Sequence, residues 1–337
     1  MWYPKIAPLL FIFAHVQGQQ FPPLQSYNVD PTSITISGIS SGGAFATQVH
    51  FSYSSQIIGA GIFEAAAYPC ALVEEEFLNC LGTPYKTNIS NLIRAAASLA
   101  DQGLIDPLTN MNDSKVYVYH GMNDSVVPFL SSGNVVDMYK RLGAEVHAQL
   151  SINAGHGQPV DGNGFGGPCG EHNADYFYIN ECGYNAAYEM LNFFYGENLT
   201  RPEKGYQPDG LIVDFNQLEF SVYDPIVISM SPKGYLYVPK NCQNGTTKMC
   251  RFHIAFHGCN SNEFLGGYAA AYKTHYAEVA ELNDIIILFP QSAITVINTA
   301  GCWDFAGLSG VPDYATKRGK QVSAVGRMMS RILGENR

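Results

Sequence analysis

Residues 34–48 read ITISGISSGGAFATQ, and the fold turns on what this stretch is. Ile34, Thr35 and Ile36 start it as a β-branched strand, and Ala44 to Gln48 end it as a helical pattern. Between them lie Ser40 and Ser41, hemmed by Gly38, Gly42 and Gly43. Residues 38–42 match G-x-S-x-G, the pattern of a nucleophile elbow, in which small neighbours let a sharp strand-to-helix turn lift the serine hydroxyl clear of the sheet. The same residues would also serve as a glycine turn with Ser40 or Ser41 capping a helix. The pattern is short, so its surroundings must decide.

The 337-residue chain is 46% hydrophobic and 14% charged, which describes a packed protein with a sizeable core. Its formal net charge of −10 and the lack of a basic run disfavour nucleic acid and anionic membrane surfaces as partners. Residues 1–18 carry one lysine and then an apolar stretch interrupted by Pro8 and His15, too short to span a bilayer comfortably. They are expected to be a signal peptide cleaved near Gly18, leaving 19–337 as one catalytic domain, secreted, without a membrane anchor and monomeric. Sequons at Asn88, Asn112, Asn198 and Asn244 fit a secreted glycoprotein. Asn123 also heads a sequon, which packing around Asp124 is expected to mask.

The eight cysteines permit 105 complete pairings. Neighbour pairing is the simplest: Cys70–Cys80, Cys169–Cys182, Cys242–Cys250 and Cys259–Cys302. A zinc site from Cys169, His172 and Cys182 lacks a second C-x-x-C or His pair, so no metal and no cofactor is expected.

Strands are predicted at SITISG, KVYVYHG, AEVHAQLSI, IVISM, GYLYVP, FHIAFHG and DIIILFP. Helical patterns cover Ala44–Ile57, Asn91–Leu104, Asn134–Leu142, Tyr184–Tyr195, Glu263–Leu282 and Val322–Leu333. Continuous apolar strands alternating with helices predict an α/β fold whose central sheet is mainly parallel, with helices on both faces. The segment from Asn198 through GYQPDGLIVDFNQLEF is read as a connection across the surface.

A serine hydroxyl needs a base within hydrogen-bond reach, itself oriented by a carboxylate. In α/β-hydrolases these follow in the order Ser, acid, His, each on a loop after a strand. Asp124, in HGMNDSVVP, and His156, in NAGHGQP, occupy those places after Ser40. One oxyanion donor is expected from the backbone N–H of Ser41. The loop suited to the other, HIAFHGCNSN, follows His156 instead of preceding Ser40. A circular permutation resolves this: joining the C-terminal strands and final helix ahead of SITISG restores the usual order, at little physical cost because termini often lie close together.

GISSGG, YHGMNDSVVP, AGHGQP, YINECGYNAA, FHGCNSN and GCWDFAGLSGVPDYATKRGKQVSAV span most of the chain past residue 18. In this order they resemble the secreted poly(3-hydroxybutyrate) depolymerases of the single-domain, circularly permuted fungal type. The resemblance implies a serine esterase acting on a polyester polymer or its oligomers. It implies Ser40 as nucleophile, His156 as base and acid, and Asp124 as its orienting carboxylate. It further implies the N–H groups of Ser41 and Cys259 as oxyanion hole, with Trp303 in the crevice wall. VDGNGFGGPCGEHNADYFY, after His156, matches no pattern of the family. Exposed members of the 21 tyrosines and 19 phenylalanines would suit adsorption to an apolar polymer. The alternatives are a feruloyl or acetyl esterase, which share the elbow and the H-G-C loop, and a non-catalytic polymer-binding relative. A peptidase is disfavoured, since nothing marks a pocket for one particular side chain.

Overall fold

The computed structural model describes residues 21–73, 79–80, 82–162, 164–223 and 225–335. The expected signal peptide lies outside them. Eleven strands are named among these residues: β1 Val29–Ile39, β2 Gly59–Phe63, β3 Lys115–Tyr119, β4 Glu145–Gln149, β5 Gln158–Val160, β6 Gly167–Pro168, β7 Ile179–Glu181, β8 Leu211–Asn216, β9 Lys233–Val238, β10 Cys250–Phe256 and β11 Ile285–Phe289. Eight of them form one sheet in the order β4-β3-β2-β1-β10-β11-β9-β8; β5, β7 and β6 form a small second sheet. From β4 to β11 every pairing is parallel, and β9 and β8 add antiparallel at one edge.

The longer helices are α1 Ser41–Ser52, α2 Ile89–Asp101, α3 Leu130–Arg141, α4 Ala186–Phe194, α5 Tyr276–Asn283 and α6 Lys320–Ile332. Strand side chains alternate between the two faces. Phe252, Ile254 and Phe256 of β10 and Ile286 and Leu288 of β11 point into a core shared with Phe45 and Val49 of α1 and Val325 and Met329 of α6. Ile285, Ile287 and Phe289 point the other way, into a core with Ala187 and Met190 of α4 and Val279 of α5. Helices therefore cover both faces of a mainly parallel sheet, the α/β-hydrolase arrangement that the alternation predicts.

The permutation has a structural signature. Tyr27 N–H donates to the Ile332 carbonyl at 3.0 Å, and Arg331 Nη1 to the Leu24 carbonyl at 3.2 Å. The segment leading into β1 thus lies against the end of α6, and β10 lies beside β1. A chain running β10, β11, α6, β1 would need only a short link at that junction.

Four local readings are corrected. GAGIF was not predicted as a strand, yet β2 is buried throughout. Its glycines hid it, and they are there for packing: a Cβ on Gly61 would meet Met190 Sδ at 2.1 Å. IVISM holds a short helix, Pro225–Ile228, and one bridging residue, Met230, instead of a strand. The supposed surface connection contains β8, which pairs antiparallel with β9 at the half-exposed sheet edge and whose apolar run LIVDF follows the turn residues PDG. Glu263–Leu282 is not one helix: Gly267 (φ 53°) and His275 (φ 63°) break it into Glu263–Gly266, Ala269–Tyr272 and α5.

The cysteines join as Cys70–Cys80, Cys169–Cys182, Cys242–Cys250 and Cys259–Cys302. Cys169 and Cys182 are therefore not zinc ligands. Asn88, Asn112, Asn198 and Asn244 are exposed, and Asn88 also caps α2 by accepting from Ser90 and Asn91 N–H.

Candidate active site

The parallel strands all point their C-terminal ends the same way, and in such sheets ligands bind beyond those ends. Ser40 follows β1 with φ 57° and ψ −122°, a conformation that costs a side-chain-bearing residue about 1–3 kcal/mol. The surroundings enforce it. Ser40 N–H donates to the Phe63 carbonyl at 2.9 Å, tying the elbow to the end of β2. A Cβ on Gly38 would stand 2.2 Å from the Gly42 carbonyl oxygen, and one on Gly42 2.3 Å from that of His257. The glycines thus bring strand, helix start and the end of β10 into contact around the serine.

The neighbouring strand ends supply the rest. Backbone bonds carry the ladder past the strands: Glu64 N–H to the Tyr119 carbonyl (2.9 Å), Met122 N–H to Ile152 (2.8 Å) and Asn123 N–H to Ala154 (2.9 Å). Asp124 stands in the loop after β3 and His156 in the loop after β4. His156 Nδ1 donates to Asp124 Oδ2 at 2.8 Å. Asp124 Oδ1 accepts the N–H groups of Val126 (2.7 Å) and Val127 (2.9 Å), and His120 Nε2 approaches Oδ2 at 3.2 Å. Burial alone would raise the Asp124 carboxyl, but hydrogen bonds from His120, His156 and Val127 hold it well below the usual range. Burial would likewise depress the His156 imidazole; Asp124 and a second carboxylate, Glu64, outweigh it and push it well above its ordinary value.

Ser40 and His156 open onto one crevice of ≈ 170 Å³, with Gly258, Cys259, Phe177 and Tyr178 among its walls. Its lining is mostly apolar, including Ile39, Val126, Ile179 and Phe256. Ser41 is buried directly behind Ser40, at the start of α1, where backbone N–H groups have no helical acceptor. On the opposite side His257 receives the Ser292 N–H at 3.2 Å; burial first, against a bond to the Gly258 carbonyl, lowers it to about 4, so it stays neutral. The Cys259–Cys302 disulfide closes that loop.

No protein-family model matches the chain. It is 31% identical over 306 residues to the polyhydroxybutyrate depolymerase of Talaromyces funiculosus, covering 85% of this chain and 86% of that one. The chain belongs to the polyhydroxybutyrate depolymerase family. It is also 32% identical over 329 residues to the poly(3-hydroxybutyrate) depolymerase of Delftia acidovorans, covering 92% of this chain but 61% of that enzyme's length. Two solved structures superpose with TM-scores of 0.81, each covered over 99% of its length and covering 93% of this chain. One is the PHB depolymerase from Penicillium funiculosum, at 26% identity. The other, at 25%, is a serine-to-alanine variant of a PHB depolymerase complexed with an R3HB trimer.

Against this family background two expectations change. Trp303 is not in the crevice wall. It is fully buried, stacked on Phe45 with ring centroids 4.6 Å apart and edge-on to Phe256. Two aromatic partners beneath the elbow bury this large ring more completely than a crevice wall would. Asn123 is not masked either: it is exposed, while Asp124, the next residue of the turn, points its side chain inward to His156.

The wall comes instead from Phe177 and Tyr178, where the unplaced stretch after His156 runs into the YINECGYNAA motif. Phe177 (φ 53°) and Tyr178 (φ 58°) are consecutive left-handed residues at the tip of the arm between β6 and β7. The Ser261 hydroxyl reaches the Phe177 carbonyl at 3.3 Å, and the Tyr178 ring stands edge-on to His156, centroids 6.1 Å apart. Buried Asn180 bolts the arm to the His156 loop, donating to the Gly155 carbonyl at 2.8 Å. Glu64 was missed with β2, whose end it occupies; a lone acid directly after a buried strand was the available signal.

Proposed function

We propose that this chain is a secreted serine esterase that hydrolyses poly(3-hydroxybutyrate), or related short-chain polyhydroxyalkanoates and their oligomers, through an acyl-enzyme. Family membership supports the substrate class, and the His156–Asp124 bond facing Ser40 across one crevice carries the mechanism. Ser40 Oγ attacks the ester carbonyl while its proton passes to His156 Nε2; Asp124 holds Nδ1–H and the correct tautomer. The N–H groups of Ser41 and Cys259 receive the developing oxyanion. His156 returns its proton to the leaving hydroxyl, then activates water to free the acyl group.

A cavity near 150 Å³ takes a ring of six carbons. At ≈ 170 Å³ the crevice suits one hydroxybutyrate unit, also of six heavy atoms, with the rest of the polymer running over the surface. Val126 at the mouth and Phe264 just beyond the Cys259 loop are 49% and 81% exposed, offering apolar contact to a solid polyester. Four disulfides support an oxidising, extracellular setting. Among the described residues, no helix is long and apolar enough to cross a membrane.

The test is product analysis after incubating the purified protein with poly(3-hydroxybutyrate) film and with its soluble trimer, beside feruloyl and acetyl-sugar esters. Release of 3-hydroxybutyrate monomer and dimer, absent with Ser40→Ala, is the expected outcome. Turnover of the sugar esters alone would refute the polyester reading.

A further inference from the structure

Asp124 is not the only acid against His156. Glu64 Oε2 stands 3.0 Å from the same Nδ1, and its side chain is wholly buried. Its two oxygens also accept backbone N–H groups from the loops after β3 and β4: Gly121 at 3.2 Å and Gly157 at 2.8 Å. One carboxylate at the end of β2 therefore ties together the loop that carries Asp124, the loop that carries His156, and the imidazole itself. Two backbone donors would satisfy a purely structural anchor. The third contact, to Nδ1, is surplus to that role, and leaving a carboxylate buried beside another acid is costly unless its charge is used.

We infer that Glu64 is a second positioning carboxylate for His156, sharing the Nδ1–H with Asp124 and stabilising the imidazolium that forms when the Ser40 proton reaches Nε2. This rests on the reading of His156 as the base. The groups facing the imidazole are few: Asp124 with His120 behind it, Glu64 with Tyr119 close by, and the Tyr178 ring with His172 edge-on beyond it. Burial raises the Glu64 carboxyl, only partly offset by His156, so the two acids and the imidazole titrate as one coupled set. Two consequences separate this arrangement from a lone acid. Losing Asp124 leaves the Nδ1–H with a partner, and losing Glu64 removes a charge that favours the cation.

The test uses Glu64→Gln, Asp124→Asn and the double variant, with a soluble trimer ester as substrate. Where one acid orients the imidazole, its amide variant costs about 10⁴ in kcat. Here Asp124→Asn is expected to cost about 10²–10³, and the double variant at least the full ~10⁴. Glu64→Gln is expected to lower kcat about tenfold with KM unchanged, and to move the acid limb of kcat/KM down by about one unit. An unmoved limb in a normally folded Glu64→Gln, or Asp124→Asn as damaging as the double variant, overturns the inference. A second readout needs no hydrolysis and no folded Glu64 variant. Nitrogen-15 histidine spectra of Ser40→Ala, Asp124→Asn should keep a hydrogen-bonded His156 Nδ1–H, and its loss overturns the inference even if the polyester reading stands.

Discussion

The floor of the crevice and its wall are built on different principles. The floor is Ser40, Asp124 and His156 just past the ends of the parallel strands β1, β3 and β4, with β2 between the first two, held by backbone ladders and by glycines that admit no Cβ. The wall is an arm of short strands, β5 to β7, whose tip Phe177–Tyr178 is held in left-handed backbone by side-chain bonds, the Cys169–Cys182 disulfide and ring contacts. A floor made of repetitive structure places atoms accurately because every residue of the sheet shares the load. A wall made of an irregular arm is free to vary in shape, which suits the part that grips substrate. Chemistry should therefore fail when the floor is touched, and affinity when the wall is touched.

The largest effect belongs to the floor. Ser40→Ala should reduce ester hydrolysis by about 10⁴–10⁶-fold while unfolding at the wild-type temperature, since triad loss leaves only binding and oxyanion stabilisation. A serine-directed phosphonate should label Ser40 alone; label on Ser41 would break the assignment. Next comes the link beneath the floor. Removing the Cys259–Cys302 bridge, which closes 43 residues, should cost up to about 4 kcal/mol of stability on the chain-entropy model. It should also cost about 10²–10³ in kcat if the Cys259 N–H is an oxyanion donor. Normal turnover in a folded Cys259→Ala, Cys302→Ala variant would remove that loop from the chemistry.

The wall should respond differently. Tyr178→Ala is expected to raise KM about tenfold and leave kcat within a few-fold, the pattern of lost uniform binding. A kcat loss larger than the KM change would mean that Tyr178 belongs with the floor. The smallest effect is a displacement along the pH axis. His156 must be neutral to accept the Ser40 proton, and its protonated form is favoured by Asp124 and Glu64. Activity should therefore fall with decreasing pH through a value above the ~6.5 of an ordinary imidazole, not at it. A limb at or below ~6.5 would show that the imidazole is not held between two anionic acids.

Most of the floor was legible in the chain because its signals are local. A β-branched run, a glycine-flanked serine, and an Asp and a His each just past an apolar strand are patterns of a few residues, and the sheet places them together by its period and connectivity alone. The order of FHIAFHG, DIIILFP and the final helix likewise implied the permutation, which the contact of residues 24–27 with the end of α6 bears out. β2 and β8 went unread for different reasons. β2 is so tightly packed that glycine replaces the apolar residues that announce a strand; β8 does carry an apolar run, LIVDF, but it lies at the half-exposed sheet edge just after the turn residues PDG, inside a stretch that reads as a connection.

What the sequence determined by itself was the α/β class, the strand-end places of Ser40, Asp124 and His156, and the permuted order, because each depends on neighbours in the chain. What only the tertiary structure decided was which side chains meet across elements. Glu64 reached His156 through three strand ends 92 residues apart in sequence. Trp303 went beneath the elbow because Phe45 and Phe256 were there to receive it, and Phe177 and Tyr178 took the wall that it left. Such contacts are chosen by complementary shape and charge between distant segments, which no local pattern records.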